Sequence, residues 1–403
     1  MPPPPSPPAP PAAPVATPSA AARWRRALPA AALALGVVLT SQLVAPGPPE
    51  LRPAAQPAPD EDDQPGSATR APSGRPGAAD RTAPPDPVAD APATVPPRDP
   101  AATPEPATGD GMPAITVEGD EILRGGEPWW FLGYNSFVWS GDCGDPDEKM
   151  TTDDVEQWFA DMRHDGHGAV RLFFYDGWDL DRLDAAVRSA RRHNVYLTIT
   201  LDDAIGGCGE NDKDATWFAD QAERDTYEAH MTSLLQRYRG DTTFAWFEFF
   251  NEPDDENGAL RAFYDEMGTT ADTIDPDRLF SSGTVAPYWV DGEANFLNIH
   301  RSPAVDIASL HEYDENETES NHGPRVRANS AGKPVIVGEF GITACEGGFG
   351  SRAERVADKA AAYTSVDGYA GAFAWAWQPG GGGCELGNLD SDTATQEVLR
   401  ESG

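Results

Sequence analysis

Aromatic residues are almost missing from the first 112 positions of this chain, where Trp24 stands alone. Twenty-nine of the 39 prolines fall there instead, among alanine, aspartate and arginine. A stretch so poor in large apolar side chains cannot bury enough surface to offset the entropy of ordering it. That excludes a packed core and predicts a disordered Pro-rich tail. Lysine is scarce as well, only four of the 30 basic residues. The formal net charge is −36, of which the tail carries −3 and the remainder −33. So acidic a surface argues against nucleic acid or anionic polymers as partners and suits a neutral substrate. The four cysteines show no C-x-x-C spacing, so the zinc sites built on that motif are not indicated.

Long hydrophobic runs are absent with one exception. After RWRR (Arg23 to Arg26) comes ALPAAALALGVVLTSQLVA, Ala27 to Ala45, without a charge. About 19 residues at 1.5 Å each give roughly 28 Å, enough to cross a bilayer's hydrocarbon core. The preceding arginines orient the following chain outward. A cleaved signal peptide also has a basic region followed by an apolar one. Leu43, two residues before Ala45 where a small residue is wanted, disfavours cleavage there, so a single-pass anchor is preferred. The expected organisation is a Pro-rich cytoplasmic tail (1–26), an anchor or signal segment (27–45), a disordered linker (46–112) and one large domain (113–403). That domain would work at the outer face of the membrane or in secreted form.

Within the domain, eight β-branched or aromatic runs read as strands: Trp129–Asn135, Ala169–Phe174, Val195–Leu201, Phe244–Phe250, Leu279–Gly283, Asp306–His311, Pro334–Phe340 and Gly371–Trp377. Most gaps between them hold helix-type patterns, the first opening on Thr152 and Asp153 as an N-cap region. Strands alternating with helices imply a parallel sheet, and eight such units predict an α/β fold of the (β/α)8 TIM-barrel type.

In such a barrel the active site lies at the strand C-termini. The second run carries Arg171, the third leads into Asp202 and Asp203, and the fourth ends in Asn251-Glu252. His311-Glu312-Tyr313 closes the sixth, Glu339 the seventh, and the eighth carries Trp375 and Trp377. Cys143, Cys208, Cys345 and Cys384 follow strand ends, so two disulfides are expected in an exported domain. Cys345–Cys384 would tie adjacent loops seven and eight and Cys143–Cys208 loops one and three, the preferred pairing of the three possible. Alternation along the fourth run places Trp246, Glu248, Phe250 and Glu252 on one face, with Glu248 about 13 Å deeper than Glu252. Two glutamates on opposite walls of one mouth, Glu252 and Glu339, can flank a bond. Glycoside hydrolysis needs one carboxylic acid to protonate the leaving oxygen and one carboxylate to attack the anomeric carbon.

E-x-x-N-E-P (Glu248, Asn251, Glu252, Pro253), H-x-Y (His311, Tyr313), G-E-F-G (Gly338 to Gly341) and a tryptophan on the eighth strand occur in this order. With them the domain resembles the clan A glycoside hydrolases, most closely glycoside hydrolase family 5. The resemblance implies Glu252 as general acid/base and Glu339 as nucleophile of a retaining double displacement, without metal or cofactor. It implies Asn251 on the sugar 2-hydroxyl, Tyr313 and Arg171 orienting an ionised Glu339, and His311 lining the same subsite. Trp375 would form the floor under the sugar, with Trp377 as the competing choice. Asn135 joins the substrate-contact set, and Glu248 is expected to be structural. His164, His167 and His193 lie in helix-type segments and read as surface residues.

LTITLDDAIGGCG (Leu197 to Gly209) lacks the strand-three histidine common in family 5 cellulases and resembles the β-mannanase branch, as does GYNSFVW (Gly133 to Trp139). The expected activity is endo-β-1,4-mannanase on a polysaccharide substrate, by a monomer. A β-1,4-glucan endohydrolase, an exo-β-mannosidase and an inactive carbohydrate-binding barrel are the alternatives. ITACEGGFGS and QPGGGGCELG match no subgroup and leave endo against exo action open.

Overall fold

The structure is a computed structural model that describes residues 111–140, 150–206, 213–255, 258–313, 326, 330–344, 348–365, 369–379 and 387–402. The expected anchor or signal segment, the linker through residue 110 and all four cysteines lie outside the described residues, as does the proposed pairing. Among the described residues no helix is long and apolar enough to cross a membrane.

An element absent from the expectation comes first. β1 (Ile115–Glu118), β2 (Glu121–Arg124) and β3 (Glu127–Pro128) form a small antiparallel sheet. Gly119 (φ +62°) allows the tight β1–β2 connection, because a left-handed backbone carries no Cβ penalty in glycine. Ile115 and Ile122 project from this sheet into the same buried cluster as Phe131, Tyr196, Leu279, Ile307 and Ile336, which sit at or next to the starts of barrel strands. The sheet therefore covers the end of the barrel opposite the strand C-termini. Tyr196 reinforces the contact by donating its hydroxyl to the Pro113 carbonyl at 2.6 Å.

The eight predicted strands are β4 (Phe131–Ser136), β5 (Ala169–Phe173), β6 (Tyr196–Thr200), β7 (Phe244–Glu248), β8 (Phe280–Ser281), β9 (Ala308–Glu312), β10 (Val335–Phe340) and β11 (Tyr369–Ala374). They pair in parallel in the order β8-β7-β6-β5-β4-β11-β10-β9. A parallel bridge between Ser281 and Ile307 joins the two edges, with Ser282 N–H donating to the Ile307 carbonyl at 3.1 Å. The sheet is thus a barrel. Around it run α1 (Thr152–His164), α2 (Leu180–His193), α3 (Ala215–Ala219), α4 (Gln221–Arg237), α5 (Leu260–Ile274), α6 (Glu293–His300), α7 (Gly348–Ser365) and α8 (Thr393–Ser402).

Local chemistry shifts several expected boundaries. α1 is capped one residue earlier than the reading placed it: Thr151 accepts from Asp154 N–H, and the Asp154 carboxylate accepts from Thr151 N–H at 2.8 Å. This capping box satisfies two otherwise orphan donors. His167 is buried rather than exposed, its Nδ1 2.9 Å from the Leu132 carbonyl and its ring edge-on to Tyr134. The alternation expected to reach Glu252 stops at Glu248. Phe249 stacks on Tyr264 and Phe280, and the next residue, Phe250, packs on Tyr227 and Phe263. Two consecutive rings turned toward the helices mean that the chain leaves regular strand geometry there. Inside the barrel, Trp246 meets Phe131 and Phe373 at centroid distances of 5.7 and 6.2 Å.

Candidate active site

Arg171, in the middle of β5, has no exposed surface and uses its whole guanidinium. Nε and Nη2 donate to Glu248 Oε1 at 2.7 and 2.5 Å, and Nη2 also to Asn251 Oδ1 at 2.9 Å. Nη1 donates to Glu339 Oε1 at 2.6 Å and Asn135 Oδ1 at 3.0 Å. A guanidinium has five N–H groups, and these five bonds account for all of them. Arg171 is therefore a hub that holds carboxylates, with no donor left for a sugar. Asn135 is similarly committed: its Nδ2 donates to the Gly338 and Phe373 carbonyls at 3.0 and 3.3 Å, tying β4 to β10 and β11. Asn135 was expected among the substrate contacts and is a strut instead; Arg171 bonds Glu339, the residue it was expected to orient.

Glu248 takes, besides Arg171, the hydroxyls of Thr200 at 3.0 Å and Ser281 at 2.9 Å. A fully buried carboxylate with four donors is a satisfied structural group. Glu339, at the end of β10, accepts from Arg171 and from the Tyr313 hydroxyl. Glu252 lies just beyond β7 with φ +51°, a conformation that costs a non-glycine residue about 1 kcal/mol or more. Three contacts hold it there. Its N–H donates to the Gly283 carbonyl at 3.1 Å, its carbonyl accepts from Trp289 Nε1 at 3.2 Å, and its Oε1 meets His311 Nδ1 at 2.7 Å. Gly283 is required, since a Cβ there would stand 1.7 Å from the Phe250 carbonyl oxygen. β8 is two residues long where five were expected.

The two glutamates differ electrostatically. Burial pushes Glu252 up to about 7, the Asp203 charge adds to this, and Arg171 opposes it. Glu339 is also raised by burial, but the Arg171 cation and the Tyr313 hydroxyl act to keep it ionised. Tyr313 itself is pushed well above its ordinary range by burial and the neighbouring carboxylates, so it remains a donor. His311 is driven down to about 4 by burial and is neutral at neutral pH. Glu339 is bonded to the Arg171 cation and Glu252 to an imidazole, so of the pair Glu252 holds a proton the more readily. Glu252, His311 and Glu339 each present a donor or acceptor atom within 4.8 Å of the other two.

Aromatic side chains flank this cluster. Trp375 stands edge-on to Phe173 at 5.9 Å, and Phe173 lies under the Arg171 guanidinium at 4.6 Å. Trp377 turns the other way, stacking on Trp158 of α1 at 5.7 Å and meeting Tyr134 edge-on. It belongs to the layer between barrel and helices and is not gathered with the glutamates. Phe137, Tyr175 and Trp178, which sequence reasoning did not single out, extend the aromatic wall from Phe173. Asp203 was noted at a strand end but not placed in the site; its Oδ1 accepts from Asn251 Nδ2 at 3.0 Å. Its position beside E-x-x-N-E-P in the neighbouring stave was the available signal.

The family model described as cellulase (glycosyl hydrolase family 5) matches residues 157–381. Mannan endo-1,4-beta-mannosidase 8 of Oryza sativa subsp. japonica is 27% identical over 307 residues, covering 59% of this chain and 82% of that protein. The crystal structure of the endo-1,4-beta-mannanase from Rhizomucor miehei superposes with a TM-score of 0.55 at 17% identity, over 72% of this chain and 99% of that one. A glycoside hydrolase family 5 mannosidase from the same fungus gives 0.58 at 15% identity, over 73% and 97%. At such identities the superpositions speak to the fold.

Proposed function

Since the chain belongs to glycosyl hydrolase family 5, we propose that it is a retaining β-glycoside hydrolase acting as an endo-β-1,4-mannanase. The observation that carries the retaining reading is the proximity of Glu252 and Glu339, whose nearest oxygens lie within 4.8 Å. Inverting enzymes hold their carboxyl groups about 6.5–9.5 Å apart to seat a water, whereas retaining ones stand about 5–5.5 Å apart.

Glu339 attacks the anomeric carbon while Glu252 gives its proton to the glycosidic oxygen, and the leaving sugar departs as an alcohol. The sugar is then held as an ester of Glu339. Glu252, now a carboxylate, takes a proton from water as that water attacks the same carbon, which frees Glu339 and restores the acid. Arg171 and Tyr313 keep the attacking carboxylate charged and aimed. His311, bonded to Glu252 through Nδ1, can accept from the acid form or donate to the carboxylate, following the proton through the cycle. Asn251, beside Glu252, contacts the sugar 2-hydroxyl, and Trp375 forms the floor.

Mannan as substrate is supported by the names of the similar proteins and by the strand-three segment without histidine. The cellulase description of the family model favours a second reading, a β-1,4-glucan endohydrolase. Both glutamates being in place argues against an inactive sugar-binding barrel. With residues 27–45 read as anchor or signal, the 113–403 domain works outside the cytoplasm.

The test incubates the purified full chain with galactomannan, glucomannan, carboxymethyl cellulose and mixed-linkage glucan, following new reducing ends and product lengths. Short oligomers from the mannans alone are expected. Cleavage of the glucans instead would move the enzyme to the second reading, and release of single mannose units would make it exo-acting.

A further inference from the structure

Asn251 is gripped from two sides. Its Oδ1 accepts from Arg171 Nη2 at 2.9 Å, and its Nδ2 donates to Asp203 Oδ1 at 3.0 Å. The backbone repeats the connection: Asp203 and Asn251 form a parallel bridge, Asn251 N–H donates to the Asp202 carbonyl at 2.8 Å, and Ala204 N–H to the Asn251 carbonyl at 3.0 Å. An amide flipped by 180° would turn its NH2 toward the guanidinium and its oxygen toward a carboxylate, so the two partners fix one orientation. Asp203 is 5% exposed, and its charge therefore acts at short range with little screening.

We propose that Asp203 is a positioning residue for the reaction: it sets the Asn251 amide for the substrate and holds its carboxylate against the residue that directly precedes Glu252. The proposal rests on the retaining-hydrolase reading above. Several groups surround Glu252. His311 comes from β9, with Tyr313 just beyond it; Glu339 comes from β10, Arg171 from β5, Glu248 from β7, and Asp203 from the segment after β6. After burial itself, Asp203 is the strongest upward influence on the Glu252 acid; Arg171 opposes it and Glu248 adds less. Removing that charge makes Glu252 easier to ionise, so the acid form is lost at lower pH.

The experiment compares the wild-type full chain with Asp203→Asn and Asp203→Ala, recording kcat/KM against pH on mannohexaose and thermal unfolding in parallel. Both variants are expected to lose kcat/KM roughly tenfold at the optimum, as for one orienting hydrogen bond, and to move the alkaline limb toward lower pH. A purely structural Asp203 would lower stability and leave the limb where it is, which would overturn the proposal. If the wild type hydrolyses neither mannohexaose nor cellohexaose, the hydrolase reading fails by itself. The carboxyl 13C titration of Glu252 then decides the inference: a lower midpoint in Asp203→Asn supports it, and an unchanged midpoint overturns it.

Discussion

Replacing Arg171 by Met removes one buried cation that serves four partners, and its consequences can be worked through. Met has similar length and an apolar stem, so the change leaves little cavity but removes the guanidinium donors from Glu248, Glu339, Asn135 and Asn251. Glu248 keeps the Thr200 and Ser281 hydroxyls, and Glu339 keeps Tyr313. Neither retains the guanidinium. Breaking a buried ion pair from one side costs about 3–5 kcal/mol, because the other charge stays buried without compensation. Against a domain stability of about 5–15 kcal/mol, the variant folds but is severely weakened. Chemical denaturation at pH 8 and pH 5 measures this. Glu339, left behind without the cation, is harder to ionise in the folded than in the unfolded state, so the penalty is largest at pH 8 and shrinks as it takes up a proton toward pH 5. Turnover falls at least about 100-fold, since a nucleophile that prefers its proton attacks poorly. Unaltered stability, or a penalty that grows on acidification, would refute the hub argument.

Other consequences are equally concrete. Burial raises the Glu252 acid to about 7, so kcat/KM is expected to decline as pH rises through that value, read from a pH–rate profile. The same raised acid costs folding stability: the unfolded chain ionises Glu252 first, so stability drops between the ordinary glutamate range and pH 7. Glu252→Gln removes that drop and is expected to unfold at higher denaturant than wild type at pH 8, by an order of about 2–3 kcal/mol, while nearly abolishing turnover. Gly283→Ala drives a Cβ into the Phe250 carbonyl at a backbone φ of +66° and displaces the Glu252 segment; activity should fall together with melting temperature. Trp246→Ala empties the barrel interior beneath the site and is expected to cost about 3–5 kcal/mol in equilibrium unfolding.

What the sequence disclosed, and what it hid, follows from the range of the interactions. Each stave of the barrel is a local run of β-branched or aromatic residues, and all eight appear where such runs stand. The carboxylates at the ends of the fourth and seventh runs were legible for the same reason. Hidden features depend on neighbours distant in the chain. Asn135 looks like a substrate contact until its partner, 203 residues away in Gly338, is seen to use its amide, and the bonds of Arg171 to Glu248, Asn251 and Asn135 are equally invisible in the sequence. Trp375 and Trp377 share a parity, yet the regular strand ends at Ala374, so alternation no longer sorts them. The same failure at Glu248 turned both Phe249 and Phe250 toward the helices. The β1–β3 sheet was missed although ITVEGDEILRGGEP carries glycines at both turns, because its strands are short and its partner is the floor of the barrel.

The central claim is a double displacement by Glu252 and Glu339 on a β-1,4-mannan. Its most direct test is proton NMR of the first sugar released from mannohexaose, recorded before the anomers equilibrate. The account predicts the β-anomer as the initial product. An initial α-anomer would mean inversion and would contradict the roles given to both glutamates.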